Sequence, residues 1–266
     1  MPIANARMYS ATPAVKQAWK ELFAWALRHA ALDWELFDHD APAPLAALWS
    51  RPDLGLALMC GLPYSQRDPR PQLVAAPIPS PSRYEGRPLY FTDIVVRAGS
   101  AHRTLEDTFG GTVGYTLGDS MSGYVALRRH LLQFRASQKP LYRKAIGGLL
   151  NPRQVIEALA AGKVDVGPLD SYYHDLLRRN DAAFAAQVRV VATTSAAPIP
   201  PLVATAPVSP AEIERLRAAL RQSGAAPELR QQRETLLLRG FAVPAAADYD
   251  ELDRALAAAR QHPNLW

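Results

Sequence analysis

The stretch Thr112-Val113-Gly114-Tyr115-Thr116-Leu117-Gly118-Asp119-Ser120-Met121-Ser122-Gly123-Tyr124 reads as a strand, a polar turn and the opening of a helix. The strand is Thr112 to Thr116, and the helix runs on through about Phe134. The first turn of a helix has unpaired N–H groups and a partial positive charge. Hydroxyls at Ser120 and Ser122, set beside those groups, suit phosphate, phosphonate, sulfate or carboxylate. Gly123 lets backbone or ligand approach closely. Serine is also a common helix cap, so an ordinary cap fits the same residues.

Outward from this stretch, strand-like and helix-like segments alternate. Thr12 and Pro13 form a cap pair ahead of a helix carrying Ala14, Ala18, Leu22, Trp25 and Ala26. Leu54-Gly55-Leu56-Ala57-Leu58-Met59 is a continuous apolar run, as in a strand buried on both faces. Strands are expected at Leu73 to Ile78, Tyr90 to Val96, Lys163 to Pro168, Val188 to Ala192 and Leu202 to Ala206. Helices are expected at Pro152 to Ala161, Asp170 to Arg179, Pro210 to Ser223, Pro227 to Arg239 and Tyr249 to Gln261. Such alternation implies an α/β protein. The extended segments Arg87–Arg97 and Val188–Thr194 bracket a block with its own strand–helix units. That arrangement suits a second lobe, residues 93–191, inserted into a first lobe of residues 1–92 plus 192–266.

Composition removes several classes. The 266 residues are 48% hydrophobic and 21% charged, near globular averages. One cysteine, Cys60, excludes an internal disulfide. No apolar run is long enough to span a membrane. The net charge of +5 is mild, and its arginines are scattered rather than striped among aromatics, which argues against nucleic acid. The six histidines show no metal-ligand spacing, and no dinucleotide or Walker glycine loop occurs, so neither metal nor cofactor is expected. Cys60 lies in no Cys–His motif, so no catalytic residue is assigned.

Three further segments carry possible ligand contacts. Asp170, in Gly167-Pro168-Leu169-Asp170-Ser171-Tyr172, sits where a strand gives way to a helix, the edge at which open α/β sheets bind ligands. It serves equally as a cap. Tyr9 follows the first strand and Tyr64 follows the buried one. Each offers either a phenol and a ring wall to a cleft or a packing ring to the core.

The order of these pieces resembles the phosphate/phosphonate-binding proteins of ABC transporters, from about residue 3 to about 223. The carrying segments are Gly61-Leu62-Pro63-Tyr64, Asp119-Ser120-Met121-Ser122-Gly123, Gly162-Lys163-Val164-Asp165-Val166-Gly167, Asp170-Ser171-Tyr172 and Pro198-Ile199-Pro200. The resemblance implies a type 2 periplasmic-binding-protein fold, with two mixed sheets flanked by helices and two lobes joined by two crossing strands. It also implies an oxyanion held in an interlobe cleft. Ser120 and Ser122 match the serines of the family's Ser-Thr-Ser grip. Met121 replaces its threonine, removing a hydroxyl and adding an apolar wall. Asp170 matches the family's aspartate, and Tyr9 and Tyr64 its tyrosines. Asn151-Pro152 stands where phosphonate binders carry a Ser-His pair.

The expected function is therefore binding of a small phosphate- or phosphonate-like anion by Tyr9, Tyr64, Ser120, Met121, Ser122, Gly123 and Asp170, without catalysis. The partners expected are that anion and ABC-transporter membrane subunits, with the protein itself a monomer. The resemblance points to the periplasm. The N-terminal residues lack a basic-then-apolar leader, which points to the cytoplasm if Met1 is the native start. An enzyme of pyrimidine-precursor type on the same fold, or a cytoplasmic ligand-sensing module, are the alternatives. A binding protein is expected to tolerate both Cys60→Ser and His174→Ala.

Overall fold

The computed structural model describes residues 1–135, 139–262 and 264–266. The chain forms two compact units. The first holds Met1–Leu89 and Pro198–Tyr249; the second holds Tyr90–Ala197 and Asp250–Trp266.

The first unit is built on a mixed six-stranded sheet. From one edge its strands are Leu238–Ala242, Gln72–Pro79, Leu202–Ala204, Leu54–Leu58, Ile3–Asn5 and Glu35–Leu36. Ile3–Asn5 runs parallel to both of its neighbours, while Leu202–Ala204 runs antiparallel to both of its own. Leu54–Leu58 is buried along its whole length, as its unbroken apolar run requires. The helix Pro13–His29 buries Val15, Ala18, Trp19, Leu22, Phe23, Trp25, Ala26 and Leu27 on one broad stripe. Thr12 caps it by accepting from the Val15 N–H, with Pro13 at the first helical position. Ser209 and Glu212 close a reciprocal capping box on the helix Pro210–Ser223.

The sequence reading put a helix over Pro227–Arg239, and the structure corrects it. A short helix ends at Thr235, Leu237 takes a left-handed backbone (φ 46°), and Leu238–Ala242 becomes the edge strand beside Gln72–Pro79. The alternation of buried Leu238 and Gly240 with exposed Arg239 is a strand pattern that the preceding leucines obscure. Gly61–Ser65, expected as loop, is one short helix.

The second unit has an antiparallel sheet of Val188–Thr193, Thr92–Arg97 and Gly167–Asp170, in that order. A parallel bridge from Val113 to Val166 attaches the strand Thr112–Gly114, which pairs in parallel with Lys144–Ile146. That last strand was not expected. The core collects Ile94, Val96, Leu105, Val113, Leu127, Leu131, Tyr142, Val166 and Leu265. Residues 250–266 were expected with the first lobe. They belong instead to the second unit, where the helix Asp250–Arg260 packs on the helical run beginning at Met121. Trp266 stacks on Tyr115 at 5.7 Å, and the Arg128 guanidinium lies 4.5 Å from its ring.

Candidate functional site

The second unit positions the serine segment through a widened helical turn. Ser120 leaves the polar turn with extended backbone, and its Oγ accepts from the Gly123 N–H at 3.0 Å. The Val125 N–H reaches back to the Ser120 carbonyl, so Met121–Val125 is a π turn before the α-helix Ala126–Leu131. Such turns occur often at functional positions, because the extra residue re-aims the groups around it. The N–H groups of Met121 and Ser122 open this run, where no intrahelical acceptor precedes them. Gly123 has no substitute here. A Cβ on it would lie 1.7 Å from the Thr116 hydroxyl.

Asp170 ends the strand Gly167–Asp170 and caps the helix Ser171–Asn180, its Oδ1 accepting from the Tyr173 N–H at 3.0 Å. Thr92, which the sequence reading did not single out, ties the two segments together. It pairs in register with Asp170, while its hydroxyl donates to the Ser122 carbonyl at 3.0 Å. The serine turn and Asp170 are thus brought to one place in the second unit. Ser120 and Ser122 are half-buried; Gly123 and Asp170 are buried. Burial pushes the Tyr173 phenol up to about 12, and the nearby Asp170 charge adds to the shift.

Met121 is buried and lines a cavity of about 150 Å³ within the second unit. Thr194, Leu252 and Ala255 share that lining. Asn151 caps the helix Pro152–Ala160 by accepting from the Gln154 N–H.

Behind the site, His174 Nδ1 meets Asp93 Oδ2 at 2.9 Å, and Thr193 donates to the other Asp93 oxygen at 3.2 Å. His174 is 1% and Asp93 0% exposed. This cluster joins the helix capped by Asp170 to the central strand, and no sequence spacing announced it.

In the first unit, Tyr9 and Tyr64 follow adjacent parallel strands and so leave the same edge of the sheet. Their loops meet where the Cys60 thiol lies 3.8 Å from the Met8 sulfur. Both tyrosines are only 1% exposed. Tyr64 packs edge-on against Tyr249 at 5.0 Å, under the Arg70 guanidinium. Of the two readings open from sequence, packing is the one this burial favours for both rings.

A family model described as "ABC transporter, phosphonate, periplasmic substrate-binding protein" matches residues 12–249. The chain belongs to this family. The match extends beyond residue 223, the limit of the sequence resemblance, and takes in the strand Leu238–Ala242. No curated protein matches the chain. Among solved structures, the binding component of an ABC phosphonate transporter from Pseudomonas aeruginosa is similar, at 16% identity and TM-score 0.79. That alignment covers 98% of this chain and 87% of the other. PhnD1 from Prochlorococcus marinus, in complex with methylphosphonate, gives 13% identity and TM-score 0.79 over 97% and 98% of the two chains. A Xanthomonas citri protein bound to ATP gives 18% identity and TM-score 0.65 over 98% of each chain. These likenesses agree on the type 2 periplasmic-binding fold. The family is one of transporter substrate-binding proteins rather than enzymes, and is typically periplasmic.

Proposed function

We propose that this chain is the solute-binding component of an ABC transporter and that it holds a small phosphonate- or phosphate-like anion at Ser120, Ser122 and Gly123. The observation carrying this reading is the Ser120-capped π turn, whose Ser122 carbonyl accepts from Thr92, the residue in register with Asp170. The N–H groups of Met121 and Ser122 and the two serine hydroxyls bind the anion. Charge-assisted bonds of this kind contribute roughly 1.5–3 kcal/mol each. Asp170 orients a protonated anion oxygen or an amino substituent. Met121 takes part through its backbone N–H, its side chain being committed to the neighbouring cavity. Binding involves no covalent step, and the partners are transporter membrane subunits on the periplasmic face. For Tyr9 and Tyr64 the proposal assigns packing first, with contact limited to the ring edge.

Titration calorimetry with methylphosphonate, phosphite, inorganic phosphate and sulfate tests this reading. One of the phosphorus oxyanions binds, and Ser120→Ala with Ser122→Ala weakens it at least tenfold. Unchanged affinity in the double variant, or no binding of any member of the panel by the unaltered protein, would falsify the proposal.

A further inference from the structure

The Thr116 hydroxyl stands apart from the other groups of the serine turn. Thr116 is 7% exposed, and its Oγ1 is a buried polar atom with no hydrogen-bond partner. A buried hydroxyl left unpaired is costly in a native structure and calls for an explanation. The backbone of Thr116 is not at fault. Its N–H donates to the Gly123 carbonyl at 3.1 Å and its carbonyl accepts from the Gly148 N–H at 2.9 Å. The residue is therefore held firmly against the turn with its side chain unused.

What the hydroxyl faces is well defined. The point where a Gly123 Cβ would sit lies 1.7 Å from Thr116 Oγ1 and 2.9 Å from Ser120 Oγ. Thr116 Oγ1 thus occupies the space that only a glycine leaves open, and Ser120 Oγ borders the same point. Ser120 Oγ already accepts from the Gly123 N–H. A hydroxyl oxygen has two acceptor lone pairs and one proton to give. If Thr116 donates into the second lone pair, Ser120 can accept nothing further, and its single proton must point outward.

We propose that Thr116 is a positioning residue of the anion site, donating to Ser120 Oγ when ligand binds so that Ser120 presents its proton to the anion. The inference rests on the proposed anion site. Chains of hydrogen bonds polarise one another, so a serine that accepts twice is a stronger donor to an anion than one that accepts once. The missing middle hydroxyl, replaced here by Met121, is offset by a hydroxyl from the preceding turn. Thr116 thus brings to the site a buried hydroxyl that no other protein group among the described residues engages.

The test is calorimetry with methylphosphonate, phosphite and inorganic phosphate on Thr116→Val, Thr116→Ser and Ser120→Ala, alone and with Thr116→Val added to Ser120→Ala. Valine keeps the shape and removes the hydroxyl. Thr116→Val is expected to weaken binding of the best probe about tenfold, with Thr116→Ser restoring it to within about threefold of the unaltered protein. In the Ser120→Ala background, Thr116→Val is expected to change affinity less than twofold, because its route to the anion is gone. The melting temperature of ligand-free Thr116→Val is expected to be no lower than that of the unaltered protein, since an unpaired polar atom has been removed. Equal affinity of Thr116→Val and the unaltered protein overturns the inference while leaving the anion site standing. So does an undiminished tenfold loss in the Ser120→Ala background. If the unaltered protein binds none of the three probes, the anion site fails and the inference with it.

Discussion

Gly123, Ser120 and Thr116 crowd so closely that a methyl group on the glycine meets two hydroxyl oxygens at once. Gly123→Ala is therefore expected to force the π turn apart, lowering the melting temperature and removing anion binding together, as thermal unfolding with and without methylphosphonate would register. Asp93 and His174 show the same sensitivity in the core. The Asp93 carboxyl has no solvent exposure and meets His174 and Thr193. His174→Ala strips one of them and leaves a buried polar group short of a partner, at a cost of roughly 1–3 kcal/mol. Chemical denaturation should show a marked fall in midpoint for His174→Ala and almost none for Cys60→Ser. Cys60 is only half-buried and contacts the Met8 sulfur at 3.8 Å. The expectation from sequence that a binding protein keeps its activity in both variants concerns function; in stability, burial separates them. A midpoint for His174→Ala close to that of the unaltered protein would rule out the Asp93 pair as a structural anchor.

Helix caps are the elements whose ends were most legible. Thr12-Pro13, Asn151-Pro152 and Ser209-Pro210 each place a side-chain acceptor before a proline that needs no N–H partner, and each opens a helix where expected. Ser209→Ala removes the acceptor for the Glu212 N–H and should lower stability by about 1 kcal/mol, read from urea unfolding. Legibility failed where local pattern was ambiguous. Leu236-Leu237-Leu238 continues a helical composition, yet Leu237 turns left-handed and the next five residues take the edge of the sheet. A short apolar run suits a helix or a strand equally, and only the open edge beside Gln72–Pro79 decides between them. Lys144–Ile146 is three residues long and carries no periodicity to read.

At the level of the whole molecule, both units bury tyrosines. Desolvation raises the phenols of Tyr172 and Tyr249 well above the ordinary value, and that of Tyr173 to about 12. In the unfolded chain these groups ionise near pH 10. Their contribution to stability is complete below pH 10. It declines above it by up to about 1.4 kcal/mol per pH unit for each tyrosine, until the folded phenol also ionises, near pH 12 for Tyr173. Melting temperature should hold steady up to about pH 9.5 and fall steeply beyond it. The rise in tyrosinate absorbance attributable to these residues should accompany unfolding. Early titration of all ten tyrosines in the folded protein would contradict this. The tail belongs to this scale as well. Residues 250–266 carry an amphipathic pattern that names no partner, and the sequence reading left them with the first lobe. Leu265 fills the core of the second unit and Trp266 stacks over Tyr115 and Arg128.

By itself the sequence determined the α/β class, the capped helices, the serine turn and the order of segments that carries the family resemblance. These depend on neighbours close along the chain, where cap chemistry and periodicity act directly. Tertiary structure alone decided that Thr92 joins Ser122 to Asp170, that Asp93 pairs with His174 across 81 residues, and that Tyr9 and Tyr64 are buried. It also decided that Thr116 lies against Gly123 with an unused hydroxyl. Each of these is set by which strands lie side by side and by how much room is left between them. No residue's own chemistry, nor that of its chain neighbours, carries that information.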